Sequence, residues 1–169
     1  SGLAAAHQRG IIHRDIKPSN IFFSAAGAVK LGDFGVAHLQ DSGQTQTGAF
    51  IGTLAYMSPE QISGGDLTFA CDVYALGVLT HRLVTGALPF SPPDLVGKHL
   101  GAAPPRPSET RPGLPVQYDE LVVRAMAKRP EQRHASLEEL RRVVEALPLE
   151  VEGHALPERA RAAVGAARH

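Results

Sequence analysis

The chain has 169 residues, 43% of them hydrophobic, which suits one domain with a sizeable core, or one domain plus a tail. Lys plus Arg equals Asp plus Glu at 17 each, so there is no surplus of positive charge of the kind that nucleic-acid binding needs. The single cysteine, Cys71, excludes an internal disulfide, and the lack of any run of about 18 apolar residues excludes a membrane-spanning helix in this sequence.

Residues 3–9, Leu-Ala-Ala-Ala-His-Gln-Arg, are strong helix formers that stop at Gly10. Ile21-Phe22-Phe23 and Val29-Lys30-Leu31 are β-prone triplets joined through Ala25, Ala26 and Gly27, which predicts a hairpin. Residues 40–49 are polar and predict a long loop. Residues 69–85 carry Val73, Leu76, Val78, Leu79, Leu83 and Val84 on nearly every side, the pattern of a buried central helix, stopped by Gly86 and Pro89. Cys71 lies inside that helix and reads as a packed thiol rather than a nucleophile.

Residues 101–115 are rich in Pro and Gly and predict an irregular connection. Residues 118–128 place Leu121, Val122, Ala125 and Met126 at helical spacing. Ser136 followed by Glu139 predicts a capping box, opening a helix with the stripe Leu137, Leu140, Val143, Val144 and Leu147. Residues 148–169 lose the apolar stripe and read as a tail or linker. The whole is a mainly helical unit with one small hairpin.

His13-Arg14-Asp15-Ile16-Lys17-Pro18-Ser19-Asn20 falls between the first helix and the first strand, and Asp33-Phe34-Gly35 follows the second strand. The hairpin therefore brings Asp15, Asn20 and Asp33 to one end of a two-strand unit. Two carboxylates and an amide are hard oxygen donors that suit Mg²⁺, which favours one or two carboxylates plus phosphate oxygens. Phosphoryl transfer asks mainly for positioning and charge neutralisation, and this set, with Lys17 beside it, offers both. The histidines invite a metal reading, but His38, His81, His99, His134, His154 and His169 are scattered without ligand spacing.

With Gly52-Thr53 and Ser58-Pro59-Glu60 downstream, these motifs resemble the protein-kinase family, in particular bacterial serine/threonine kinases of eukaryotic type. The resemblance implies a protein-kinase-like α+β fold, with residues 1–147 forming the C-terminal lobe of the catalytic domain. It implies ATP as phosphoryl donor and Mg²⁺, or Mn²⁺, as metal. Asp15 would accept the substrate hydroxyl proton and Lys17 would stabilise the transferring group. Asn20 and Asp33 would hold the metal, with Phe34 packed behind and Gly35 permitting the turn. By the same resemblance Thr53 lines the acceptor site and contacts Asp15 and Lys17. Asp72 receives backbone N–H groups near His13 and Arg14, and Glu60 pairs with Arg133. Thr45 and Thr47 would be phosphorylated, with Arg14 receiving the phosphate charge. His81-Arg82 stand where many relatives carry Tyr-Glu.

The implied partners are ATP and proteins bearing serine or threonine, with a homodimer for autophosphorylation in trans. The family's Gly-rich loop, β3 lysine and helix-C glutamate are absent, so the smaller lobe is expected to precede residue 1. Alone, residues 1–169 are expected to bind ATP poorly, to show little catalysis and to expose an apolar surface toward that lobe. The kinase domain is expected in the cytoplasm, and the tail leaves open a membrane anchor, a sensor domain or neither in its parent. Two other readings stand beside this one: a catalytically dead kinase-like interaction module, and a kinase-fold phosphotransferase for small molecules. The first is disfavoured by the joint presence of Asp15, Lys17, Asn20 and Asp33, the second by the Gly-Thr and Pro-Glu segment.

Overall fold

The computed structural model describes residues 2–33 and 52–148. The chain begins with α1 (Gly2–Gln8), a 3₁₀ turn (Pro18–Asn20), β1 (Ile21–Phe23) and β2 (Val29–Leu31). It continues with α2 (Pro59–Ser63), α3 (Ala70–Thr85), α4 (Leu95–Gly101), α5 (Pro107–Thr110), α6 (Val116–Ala125), a second 3₁₀ turn (Pro130–Gln132) and α7 (Leu137–Glu145). Phe34, Gly35, the loop expected at residues 40–49 with Thr45 and Thr47, and nearly all of the expected tail lie outside the described residues. Among the described residues no helix is long and apolar enough to cross a membrane.

The core lies along α3. Val73, Tyr74 and Val78 are fully buried there and pack with Tyr118, Leu121, Val122, Ala125 and Met126 of α6 and its C-terminal end. Gly77 makes the close crossing feasible, since a Cβ at that position would sit 2.8 Å from Ala125 Cβ and 2.9 Å from Met126 Cγ. Gly86 ends α3 in the left-handed conformation, φ 81°, as a C-cap glycine does. The hairpin is antiparallel, with Ile21 opposite Leu31 and Phe23 opposite Val29.

Three short helices depart from the sequence reading. α2 and α4 were not predicted, and α5 interrupts the stretch expected to be irregular. Helices of four to seven residues complete too few turns to display a periodic face, although Pro at the start of α2 and α5 is a local start signal. The predicted capping box at α7 forms only by half. Ser136 Oγ accepts from Glu139 N–H at 3.1 Å, whereas the Glu139 carboxylate takes the N–H of Ala135 instead of that of Ser136. Cys71 is 1% exposed, and burial, with the charge of Asp72, pushes its thiol up to about 12, so no thiolate exists at neutral pH.

His81, His99 and His134 are all buried, and burial holds each below the usual imidazole range. His99 falls to about 4, first through burial and then through the charge of Lys128. Tyr74 Oη lies 2.9 Å from its Nδ1. In the unfolded chain these rings protonate near pH 6.5, so below that pH unfolding takes up protons that the fold excludes. Stability is therefore complete above about pH 6.5 and drains as pH falls toward 4, with His99 contributing on the order of 2–3 kcal/mol. Urea midpoints at about pH 7.5, 5.5 and 4.5 should decline in that order, and His99→Gln should flatten the slope. A flat profile in the unmodified protein would contradict the assignment.

Candidate active site

The loop from residue 11 to residue 20 connects α1 to β1, and its shape is set by Asp72 near the start of α3. Asp72 is 1% exposed. Its Oδ2 accepts the N–H of His13 at 2.9 Å, with His7 Nε2 2.7 Å away, and its Oδ1 accepts the N–H of Arg14 at 2.9 Å. Ile16, 2% exposed, pins the middle of the loop into the core. Arg14 itself has φ 68°, a left-handed conformation that disfavours a side chain by about 1–2 kcal/mol. Such a conformation persists only where neighbours hold it.

The second hold on Arg14 comes from a residue that the sequence reading missed. Gln61 Nε2 donates to the Arg14 carbonyl at 2.7 Å. Gln61 Oε1 is fixed in turn by the N–H of Ser58 at 3.0 Å and its hydroxyl at 3.1 Å. Ser58 and Gln61 form a capping box at α2, so the spacing Ser-x-x-Gln was a legible local signal. Its reach to residue 14 was not. Gln61→Met keeps the volume and removes the donor, leaving the carbonyl short of a partner. It should cost about 1–3 kcal/mol in urea unfolding and speed hydrogen exchange at the Arg14 amide. Unchanged exchange there would show that Gln61 does not hold the loop.

His13, fully buried, bridges the two halves of the site. Its Nδ1 accepts the Asp15 N–H at 3.3 Å, and its Nε2 lies 2.9 Å from the Gly32 carbonyl. These partners assign the ring proton to Nε2. Gly32 N–H donates to the Asn20 carbonyl at 2.9 Å. Gly32 is thus tied to both sides of the loop, which brings the next residue, Asp33, beside Asn20. Asp33 has φ 51° and is exposed.

Lys17 and Asn20 each meet Asp15 directly, and Thr53 joins them through Lys17. Lys17 Nζ is 2.9 Å from Asp15 Oδ2 and donates to Thr53 Oγ1 at 2.9 Å. Asn20 is 5% exposed and donates through Nδ2 to the Asp15 carbonyl at 2.8 Å and to Asp15 Oδ2 at 3.0 Å. Those bonds use the amide hydrogens of Asn20 and, among the described residues, leave Oδ1 with the Ser19 hydroxyl alone, at 3.5 Å. The Asp33 carboxylate makes no hydrogen bond among the described residues. Among those residues no three of His, Cys, Asp and Glu converge on a metal position. Two oxygen donors with spare acceptor capacity, one amide and one carboxylate, nevertheless suit a hard cation that draws its remaining ligands from phosphate.

Behind this cluster Glu60 and Arg133 form a bidentate pair, with Nη1 to Oε1 at 2.6 Å and Nη2 to Oε2 at 2.8 Å. The other three donors of the guanidinium reach Ala70 O at 2.8 Å, Ala127 O at 2.7 Å and Lys128 O at 3.1 Å. Its five N–H groups are therefore all satisfied. The pair fastens α2, and with it the segment bearing Thr53, to the region between α6 and α7. Burial pushes the Glu60 carboxyl upward, but the Arg133 hydrogen bonds and charge outweigh it, and the net position is below the usual carboxylate range.

A long buried helix that holds a catalytic-type loop, with a hairpin at the edge of that loop, defines the helical lobe of a protein-kinase fold. The family described as protein kinase domain matches residues 1–141, and the chain belongs to that family. The chain is 44% identical over 144 residues to the serine/threonine-protein kinase PknH of Mycobacterium bovis, covering 83% of this chain and 24% of that protein. It is 44% identical over 161 residues to PknL of Mycobacterium tuberculosis, covering 93% of this chain and 40% of the other. The crystal structure of the Mycobacterium tuberculosis PknI kinase domain aligns with TM-score 0.60 and 33% identity, over 82% of this chain and 46% of that one. The chain thus spans between about a quarter and two fifths of the length of these curated relatives.

Proposed function

We propose that the protein carrying this chain transfers the γ-phosphoryl group of ATP to serine and threonine hydroxyls of proteins. The observation that supports this most is the continuous series of contacts from Thr53 to Lys17, from Lys17 to Asp15 and from Asp15 to Asn20. The curated relatives bear the name serine/threonine-protein kinase, in line with this reading.

The chemistry follows from the side chains. Asp15, held by Asn20 and Lys17, takes the proton from the acceptor hydroxyl. The acceptor oxygen forms a bond to the γ-phosphorus as the bond from that phosphorus to the β–γ bridging oxygen breaks, and ADP departs. Lys17 neutralises charge on the transferring group, and Thr53 steadies the Lys17 ammonium. Asn20 Oδ1 and the Asp33 carboxylate would hold Mg²⁺ or Mn²⁺, which supplies charge neutralisation on the phosphates.

Residues 1–147 act as the larger lobe and 148–169 as a tail or linker. The family pattern also needs a Gly-rich loop and a lysine that this sequence lacks, and we place them in a smaller lobe on the N-terminal side. Ile11, Phe22, Phe23 and Val29 are 48%, 50%, 58% and 44% exposed, an apolar surface suited to such a cover. Thr45 and Thr47 are the autophosphorylation sites, modified in trans within a homodimer, and Arg14 is the receiver. The domain works in the cytoplasm.

The test is transfer from radiolabelled ATP, with Mg²⁺, by the intact protein to a serine- and threonine-bearing protein, followed by phosphoamino-acid and phosphopeptide analysis. Phosphoserine or phosphothreonine in the acceptor, with label at residues 45 and 47, is the expected result. Label only on small alcohols, or none, would overturn the reading.

A further inference from the structure

We infer that Arg82 selects an acidic side chain in the peptide that carries the acceptor hydroxyl, an inference that rests on the kinase reading above. Arg82 lies in the last turn of α3 and is exposed. Its Nη1 donates to Tyr56 Oη at 2.6 Å. Tyr56, 5% exposed, belongs to the turn that starts at Thr53, with its N–H donating to the Thr53 carbonyl at 3.1 Å. Thr53 in turn binds Lys17, and Lys17 binds Asp15. An unbroken series of contacts therefore leads from the proposed base to the Arg82 guanidinium along the segment that faces the acceptor. An extended peptide advances about 3.3 Å per residue, so a side chain a few residues from the acceptor falls within reach.

Among the described residues no carboxylate pairs with Arg82, whereas Arg124, Arg129, Arg133, Arg141 and Arg142 each have a carboxylate partner. One of its nitrogens is anchored by a phenol, which limits the motion of the fork, while its other donors remain open. A guanidinium held in this way matches a carboxylate in geometry as well as in charge. A lysine or arginine at the same peptide position meets like charge, so the site discriminates by repulsion as well as attraction. The nearest cationic group in the series, Lys17, is already paired with Asp15, which leaves Arg82 to set the preference.

The test uses the intact protein and fluorescent peptides whose acceptor serine is replaced by alanine. In one set each flanking position carries Asp, Ala or Lys in turn. Binding is read by anisotropy at low and high salt. Asp at one position should tighten binding about tenfold over Ala, with the gain shrinking in high salt. Arg82→Gln retains a donor for Tyr56 but lacks the charge, and should abolish the discrimination. Arg82→Glu should shift the preference to Lys at the same position. No acidic preference in the unmodified protein, or the same preference in Arg82→Gln, would overturn the proposal. Phosphotransfer to matching serine peptides is measured in parallel. Acidic selection without transfer would sink the kinase reading and leave the Arg82 site standing, and transfer without acidic selection would do the reverse.

Discussion

Arg133→Met should lower the free energy of unfolding by about 3–5 kcal/mol, because it strands the Glu60 carboxylate in a buried position. The Arg133 side chain is fully buried and that of Glu60 is 9% exposed. The guanidinium also lies 5.0 Å from the Tyr74 ring, and no water-facing donor remains to soften its loss. Three carbonyls, those of Ala70, Ala127 and Lys128, lose their donor at the same time. Glu60→Leu combined with Arg133→Met removes both charges and should recover part of the deficit, the remainder reflecting the carbonyls. Urea unfolding of the set gives the comparison. A single variant within 1 kcal/mol of the parent, or a double variant no better than the single, would refute a structural role for the pair. The pair also has a pH signature. Since the Glu60 carboxyl sits below its ordinary value in the fold, its contribution is present above about pH 4.5 and is lost as pH falls through the lowered value.

Asp15→Asn in the intact protein should reduce kcat for phosphotransfer by about 10²–10⁴-fold, the span expected of a general base. The amide preserves size and still accepts from Asn20, but it cannot take a proton. KM for ATP and for the acceptor peptide should move by only a few fold, because the loss falls on the transition state. Steady-state kinetics, with a thermal midpoint close to that of the parent, would separate this effect from misfolding. A loss smaller than tenfold would remove Asp15 as the base.

The sequence displayed those parts of the structure that repeat or lie close together along the chain. α3 was visible because 16 residues carry apolar side chains on nearly every side, and the hairpin because two β-prone triplets flank Gly27. α2, α4 and α5 were not, since so few turns leave no periodic trace. The contacts of Asp72 with the loop and of Glu60 with Arg133 join residues 58 to 73 positions apart. Composition and spacing carry no sign of such pairs, and only the family resemblance suggested them. Gln61 shows the opposite failure. Its capping partner is three residues away and readable, but its grip on Arg14 spans 47 residues and belongs to no local pattern. Arg82 stood out as a departure from the relatives' Tyr-Glu, yet its approach to Tyr56 required the folded chain.

The Arg14 peptide is clasped from opposite sides by groups on two different elements, the carboxylate of α3 and the amide of α2. One clasp belongs to the buried central helix and the other to the short helix that follows Thr53. A displacement of α2 therefore acts on the backbone next to Asp15. Whatever coupling free energy a ligand bound at one exerts on the other is returned in equal measure.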